Sequence, residues 1–369
     1  MKSTKRRASE QVPSALAAEA ETAKTAFRGI NALSPYAYGG VGPDGHAWFC
    51  CQEVEKGPRR LLRYVDGHFE DVGAPPNNAM SMAALGDALF AIGPYEDGAF
   101  LRDGVWSTFP MPDLADGVLV GDGRHALWFV SRHGNVFSWN GSGFEAVQAP
   151  AHPGAQLVAD VDGALLLVGG RNAGTVTRVD GKGVSKLPKA PIEHLTSACR
   201  VGDWLVVLET FLSTRVFVLS RRERKAKWQG PFDLGNDRAD LLVPLATGQV
   251  LAYSRWLRPI VTIDPATGAV TPAGKRTLIN GGATSVVVPT SGGGALFVGG
   301  LLGTGIKDDD PPMQPQLWRD GKVTAMVGFE HELAAQAEDQ EKRSTILHSV
   351  RNATSADIDA LLADDDDDD

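Results

Sequence analysis

The chain has 369 residues, 43% hydrophobic and 22% charged with 42 glycines, so it can bury a core and is rich in turn-formers, which excludes disorder as its overall state. Its net charge of −9 is local: residues 330–369 hold 13 acids and 3 bases, leaving 32 acids and 33 bases in residues 1–329, and a neutral body without a basic stripe argues against a nucleic-acid partner. Three cysteines are too few for a disulfide framework, and no apolar run approaches the ~18 residues of a membrane-spanning helix.

Met1-Lys-Ser-Thr-Lys-Arg-Arg7 has the charge of a signal-peptide n-region. Glu10, Glu19 and Glu21 leave no apolar h-region after it, which predicts a cytoplasmic protein. Residues 14–28 are Ala- and Glu-rich with Leu16, Ala20 and Phe27 apolar, and predict a short helix. Residues 1–33 are thus expected to form a basic tip and helix ahead of the main domain.

From residue 34 a weak repeat begins. Its clearest copy is 119–130 with 135–147, which reads as strand, turn, strand, loop, strand, turn, strand. In chain order the seven copies are 42–49 with 61–72, 85–92 with 99–109, 119–130 with 135–147, 160–168 with 175–181, 201–208 with 215–219, 246–253 with 260–268, and 291–298 with 316–321. Their mean period of about 42 is the length of a four-stranded propeller blade. The second strand of each copy, such as 165–168, is apolar without alternation, as a strand covered on both faces must be. Asp-Gly and Asn-Gly pairs supply the positive φ values that two-residue hairpin turns require. Ser34-Pro-Tyr-Ala-Tyr38 is placed to pair with the last blade.

Gly169-Gly170 after the apolar run 165–168, followed by Val179-Asp180, resembles a degenerate Kelch repeat, and Ile263-Asp-Pro-Ala-Thr-Gly268 is similar to part of one. A Gly-Gly pair recurs at Gly299-Gly300. Gly42-Pro-Asp-Gly-His-Ala-Trp-Phe49 resembles the repeat of streptogramin-lyase-type propellers, and Leu127-Trp-Phe129 that of two-component-sensor propellers. As repeat texture the resemblance spans about four-fifths of the chain and implies a bacterial β-propeller repeat protein. The expected fold is all-β, a seven-bladed propeller over residues 34–328. A helical extension over 329–369 follows, with Leu333, Ala337, Ile346, Leu347 and Val350 as its apolar stripe. Thr354 and Asp357 have capping-box spacing, and the aspartates at 364–369 repel one another and are expected to stay unfolded.

In a propeller the loops joining second to third strands share one face. Here those loops carry nearly all the distinctive side chains, whereas the turns of the opposite face are minimal. The expected partner-binding residues are Arg59, Arg60, Tyr95, Arg132, His133, Arg171, Arg215, Arg255, Trp256 and Arg258, with Glu53, Glu55, Lys56, Glu96, Asn172 and Glu209 among them. Arginine beside Trp256 is hot-spot composition. Trp48, Trp106, Trp128, Phe129, Trp139, Phe144, Trp204 and Trp318 fall at inter-sheet core positions of the repeat.

Enzymatic constellations mostly fail. In the Gly300-Leu-Leu-Gly-Thr-Gly305 run, Ile306 precedes Lys307, one position off P-loop spacing, and His331-Glu332 is followed by Ala335 where a zincin needs histidine. Cys50 and Cys51 read as half-buried strand residues rather than as a metal site. The preferred reading is therefore a non-catalytic, cytoplasmic binding protein without cofactor, monomeric on its own, with a protein partner and neither nucleic acid nor membrane. An immunity-type neutralising protein is one version, with the acidic tail steering association. The alternative is a metal-dependent lyase or lactonase-type hydrolase at the channel mouth, with His133 as acid/base and Asp308, Asp309 and Asp310 as hard ligands for Mg²⁺ or Ca²⁺. Against the lyase pattern, Cys50 and Val130 follow the Trp48-Phe49 and Trp128-Phe129 pairs where a carboxylate is typical.

Overall fold

The computed structural model describes residues 38–325 apart from 53–58, 78, 94–95, 114–116, 150–153, 171, 212, 224, 235–238, 255–258, 276–285 and 299–315. The helices expected over 14–28 and 330–350, and the acidic tail, lie outside the described residues.

Each repeat folds as four antiparallel strands in sequence order, giving seven separate four-stranded sheets. The first strands are Tyr38–Val41, Ser81–Leu85, Gly117–Gly121, Ala155–Ala159, Leu195–Val201, Leu241–Pro244 and Val286–Pro289. Each of them contacts the first strand of the next blade, and Tyr38–Val41 contacts Val286–Pro289, so first strands line the ring's interior and the ring closes between blades 7 and 1. Tyr38 pairs with Cys50 within its own blade. Of residues 34–38, expected to pair with the last blade, Tyr38 thus pairs within blade 1, and 34–37 lie outside the described residues.

Burial peaks in the second strands and falls outwards from them, the first strands that line the interior being mostly half-buried. Second strands Ala88–Ile92, Leu127–Ser131, Leu165–Gly169, Val250–Tyr253 and Ala295–Val298 are buried at every position. Fourth strand Gly183–Lys186 is exposed at every position. Successive side chains on a second strand point to opposite faces and so feed different cores. Leu165 and Leu167 pack with Trp128, Val130 and Val136 of blade 3, whereas Leu166 and Val168 pack with Leu205, Val207 and Phe217 of blade 5. Every hydrophobic cluster spans two adjacent blades, because a lone four-stranded sheet has no means of covering either face.

Aromatic positions expected in the core are there. Trp48, Trp128, Phe129 and Trp318 are buried, and Trp106, Trp139, Phe144 and Trp204 pack partly buried on the same clusters. Two indoles also bridge blades: Trp128 Nε1 donates to the Gly163 carbonyl at 2.8 Å and Trp318 Nε1 to that of Ala273 at 2.6 Å. Cys50 is fully buried rather than half-buried, while the Cys51 side chain lies outside the described residues. Burial also pushes the Cys199 thiol up to about 12, so it is an inert core residue. The Asp-Gly turns form as expected, with positive φ at Asp103 (51°) and Gly104 (75°).

Candidate binding face

Antiparallel order puts the first-to-second and third-to-fourth turns on one face of the ring. Second-to-third loops and the connections between blades share the other. On that second face blade 5 carries the best-defined arrangement. Glu209, near the end of strand Trp204–Thr210, lies opposite Arg215, near the start of strand Thr214–Ser220. Arg215 donates to Glu209 Oε2 at 2.5 Å, and Glu209 Oε1 accepts the backbone N–H of Glu193 at 2.8 Å and of His194 at 3.2 Å. Glu209 thereby ties its hairpin to the connection arriving from blade 4.

Its side chain is only 2% exposed. Burial would raise that carboxyl, but the Glu193 and His194 N–H groups and the Arg215 guanidinium outweigh it and hold the group below its ordinary value. Thr210 Oγ1 donates to the Ala239 carbonyl at 2.6 Å and fixes the same hairpin to the connection into blade 6. Beyond Thr210 the chain turns at once, and Phe211 is left 63% exposed. The ring of His194 stacks on it at 4.4 Å, tilted by 26°. A fixed carboxylate thus holds two loops that present an exposed aromatic pair beside a half-exposed arginine.

Of the expected site residues, Glu209 and Arg215 are brought together. Arg132 and His133 are exposed in the turn joining the second and third strands of blade 3, with blade 4 between them and Phe211. Asn135 in that turn donates to Asp113 at 3.3 Å, which anchors it to the connection from blade 2. Arg59 and Arg60 begin a third strand opposite Gln52 and Cys51, and their side chains lie outside the described residues. Outside the description altogether are Tyr95, Arg171, Arg255, Trp256, Arg258, Asp308, Asp309 and Asp310. Among the described residues no three His, Cys, Asp or Glu side chains converge as a metal site would require, and no helix is long and apolar enough to cross a membrane.

Sequence reasoning passed over His194 and Phe211. On the opposite face it also passed over His125, whose Nδ1 lies 2.6 Å from Asp122 Oδ2. Asp122 is buried, which would raise its carboxyl, but N–H donors from His125, Arg124 and Ala126 together with the imidazole lower it on balance. This is a turn built around a carboxylate that accepts three backbone donors, with the imidazole exposed.

No protein-family model matches the chain, and no curated protein matches it in sequence. Solved structures do match. Virginiamycin B lyase from Staphylococcus aureus aligns with a TM-score of 0.54 at 10% identity over 80% of this chain and 95% of that one. A streptogramin B lyase aligns with 0.54 at 12% identity over 72% and 90%. YCF48 bound to D1 peptide aligns with 0.51 at 12% identity over 81% and 95%. Identity this low speaks for backbone architecture and leaves chemistry open. The chain is a seven-bladed β-propeller, the architecture it shares with the streptogramin B lyases.

Proposed function

We propose that this propeller is a non-catalytic binding protein that holds a protein partner on the face bearing its second-to-third loops and blade connections. The observation that carries this reading is the His194–Phe211 stack beside Arg215, fixed from below by buried Glu209. An exposed, pre-ordered aromatic next to a guanidinium gives a partner apolar area and a charge-assisted contact at little ordering cost. The solved propeller with a bound D1 peptide supports a protein or peptide ligand for this architecture. An immunity-type role is the version in which the captured partner is an enzyme that the propeller suppresses.

Affinity capture from native lysate tests the reading. The parent chain is expected to retain a stoichiometric protein, and Phe211→Ala to lose at least about 10-fold in its retention, the scale of a hot-spot truncation. Retention unaffected by Phe211→Ala overturns the reading. So does a partner-free protein that carries a divalent ion and cleaves a small molecule in a His133-dependent way, which assigns the face to the lyase or hydrolase alternative.

A further inference from the structure

The ring, residues 34–328, holds 27 bases and 29 acids, and its cations are not evenly matched. Several arginines face carboxylates: half-buried Arg63 lies 2.5 Å from Asp44, and exposed Arg102 is 2.9 Å from Asp87. At the outer rim of blades 4 and 5 the pattern changes. The segment Arg221-Arg-Glu-Arg-Lys-Ala-Lys227 links the third and fourth strands of blade 5. Ala226 is buried in the core shared with blade 4, which turns Lys225 and Lys227 outwards. Trp228 Nε1 then donates to the Pro188 carbonyl at 2.9 Å, which draws this segment against the end of blade 4's outermost strand, where Lys186 and Lys189 are exposed. Among the described residues none of these four lysines makes an ion pair. Nearby Asp180 and Asp203 are already engaged, by Arg178 and Arg222 respectively.

Lys182, Lys275 and Lys322 likewise make no ion pair among the described residues, but at this rim four lysines gather on two segments held together by the Trp228–Pro188 hydrogen bond. Such a cluster suits an anionic occupant, and this chain carries one. Residues 364–369 are consecutive aspartates. Between them and the last described strand, Lys322–Ala325 of blade 7, residues 326–363 reach on the order of 120 Å when extended. A blade of four strands is roughly 15–20 Å across, so every part of the rim is within that reach. A tethered segment meets its site at an effective concentration on the order of millimolar, enough for several weak lysine–aspartate contacts to hold together. We infer that the rim strip formed by Lys186, Lys189, Lys225 and Lys227 is the docking surface of the chain's own acidic terminus. The terminus covers the strip at low ionic strength and yields it to a competing acidic segment. Lys189 shares the connection from blade 4 to blade 5 with His194, but this inference is read from lysine cross-links and hexa-aspartate binding whereas the function proposed above is read from Phe211→Ala capture, so either can fail without the other.

Two measurements on the full chain and on a variant lacking residues 364–369 decide it. Zero-length carbodiimide cross-linking of the full chain is expected to join the terminal aspartates to Lys186, Lys189, Lys225 or Lys227 within one molecule. In fluorescence anisotropy, labelled hexa-aspartate is expected to bind the shortened chain at least about 10-fold more tightly than the full chain, because the tethered competitor is gone. Binding should vanish between about 0.05 M and about 0.5 M salt as screening sets in. It should also vanish in the shortened chain carrying Lys186→Glu, Lys189→Glu, Lys225→Glu and Lys227→Glu, all exposed positions, with an unchanged thermal midpoint as the folding control. Cross-links confined to other lysines or to pairs of molecules overturn the inference. Equal peptide affinity with and without the terminus also does, as does undiminished binding to the charge-reversed chain. A shortened chain that ignores hexa-aspartate yet takes up an oligonucleotide reassigns the strip to nucleic acid.

Discussion

Glu209 shows how much one side chain can organise. It satisfies two backbone donors and a guanidinium from a nearly dry position, so replacing it leaves those donors unpaired rather than merely removing a charge. Glu209→Gln keeps the shape and one acceptor, and is expected to cost about 1–3 kcal/mol at neutral pH. The pH dependence follows from the sign of the shift. Folding lowers this carboxyl, so the unfolded chain binds more protons; its contribution is complete above the ordinary carboxyl value and is lost as pH falls through the lower, folded value. Thermal unfolding of Glu209→Gln should therefore show a shallower loss of stability than the parent over that acidic window. Equal slopes would remove Glu209 from the account. In the sequence Glu209 and Arg215 are visible as loop-face charges, but nothing in their spacing says that they meet or that one of them is buried. Phe211 is harder still, since an aromatic after a long apolar strand reads as more core. The signal is the brevity of the link from 211 to 213, which leaves Phe211 in the turn itself.

Among elements, the second strands were the most legible. Their unbroken apolar character follows from serving two cores at once, and alternation disappears because neither face meets water. Outermost strands gave a weaker signal. Val184 in Gly183–Lys186 is 44% exposed, and only register with Val179 places it in the sheet at all. The radial gradient makes a quantitative contrast within blade 4. Leu166→Ala opens a cavity between blades 4 and 5 and should cost about 2–5 kcal/mol, whereas Val184→Ala should change stability by no more than about 0.5 kcal/mol. Comparable losses in denaturant unfolding would contradict the assignment of inner and outer strands.

For the molecule as a whole, a period of about 42 residues was enough to count blades, because each blade is a local unit of chain. Closure was not legible, since it joins strands at opposite ends of the repeat array and leaves no local trace. The seam between blades 7 and 1 joins sheets from opposite ends of the repeat array, with Phe49, Leu62 and Tyr64 set against Val288, Leu296 and Val298. Gly39 is where it is tightest: a Cβ there would lie 2.8 Å from Val288 Cγ2 and 2.9 Å from Phe49 Cδ1, well inside contact distance. Its neighbour Gly40 has room, the nearest atom to a Cβ being the Met82 carbonyl oxygen at 3.7 Å. Both are glycines of one strand, so propensity affects them alike and the packing around each, on the seam side and within its own blade, distinguishes them. Gly39→Ala is expected to destabilise the ring by about 1–3 kcal/mol through overpacking, while Gly40→Ala stays within about 0.5 kcal/mol of the parent. Hydrogen exchange should place the extra opening of Gly39→Ala in Tyr38–Val41 and Val286–Pro289, with blades 3 to 5 protected as before. Uniform loss of protection around the ring would mean that the seam opens only when the whole propeller does, and that closure is no weaker than any junction the chain itself connects.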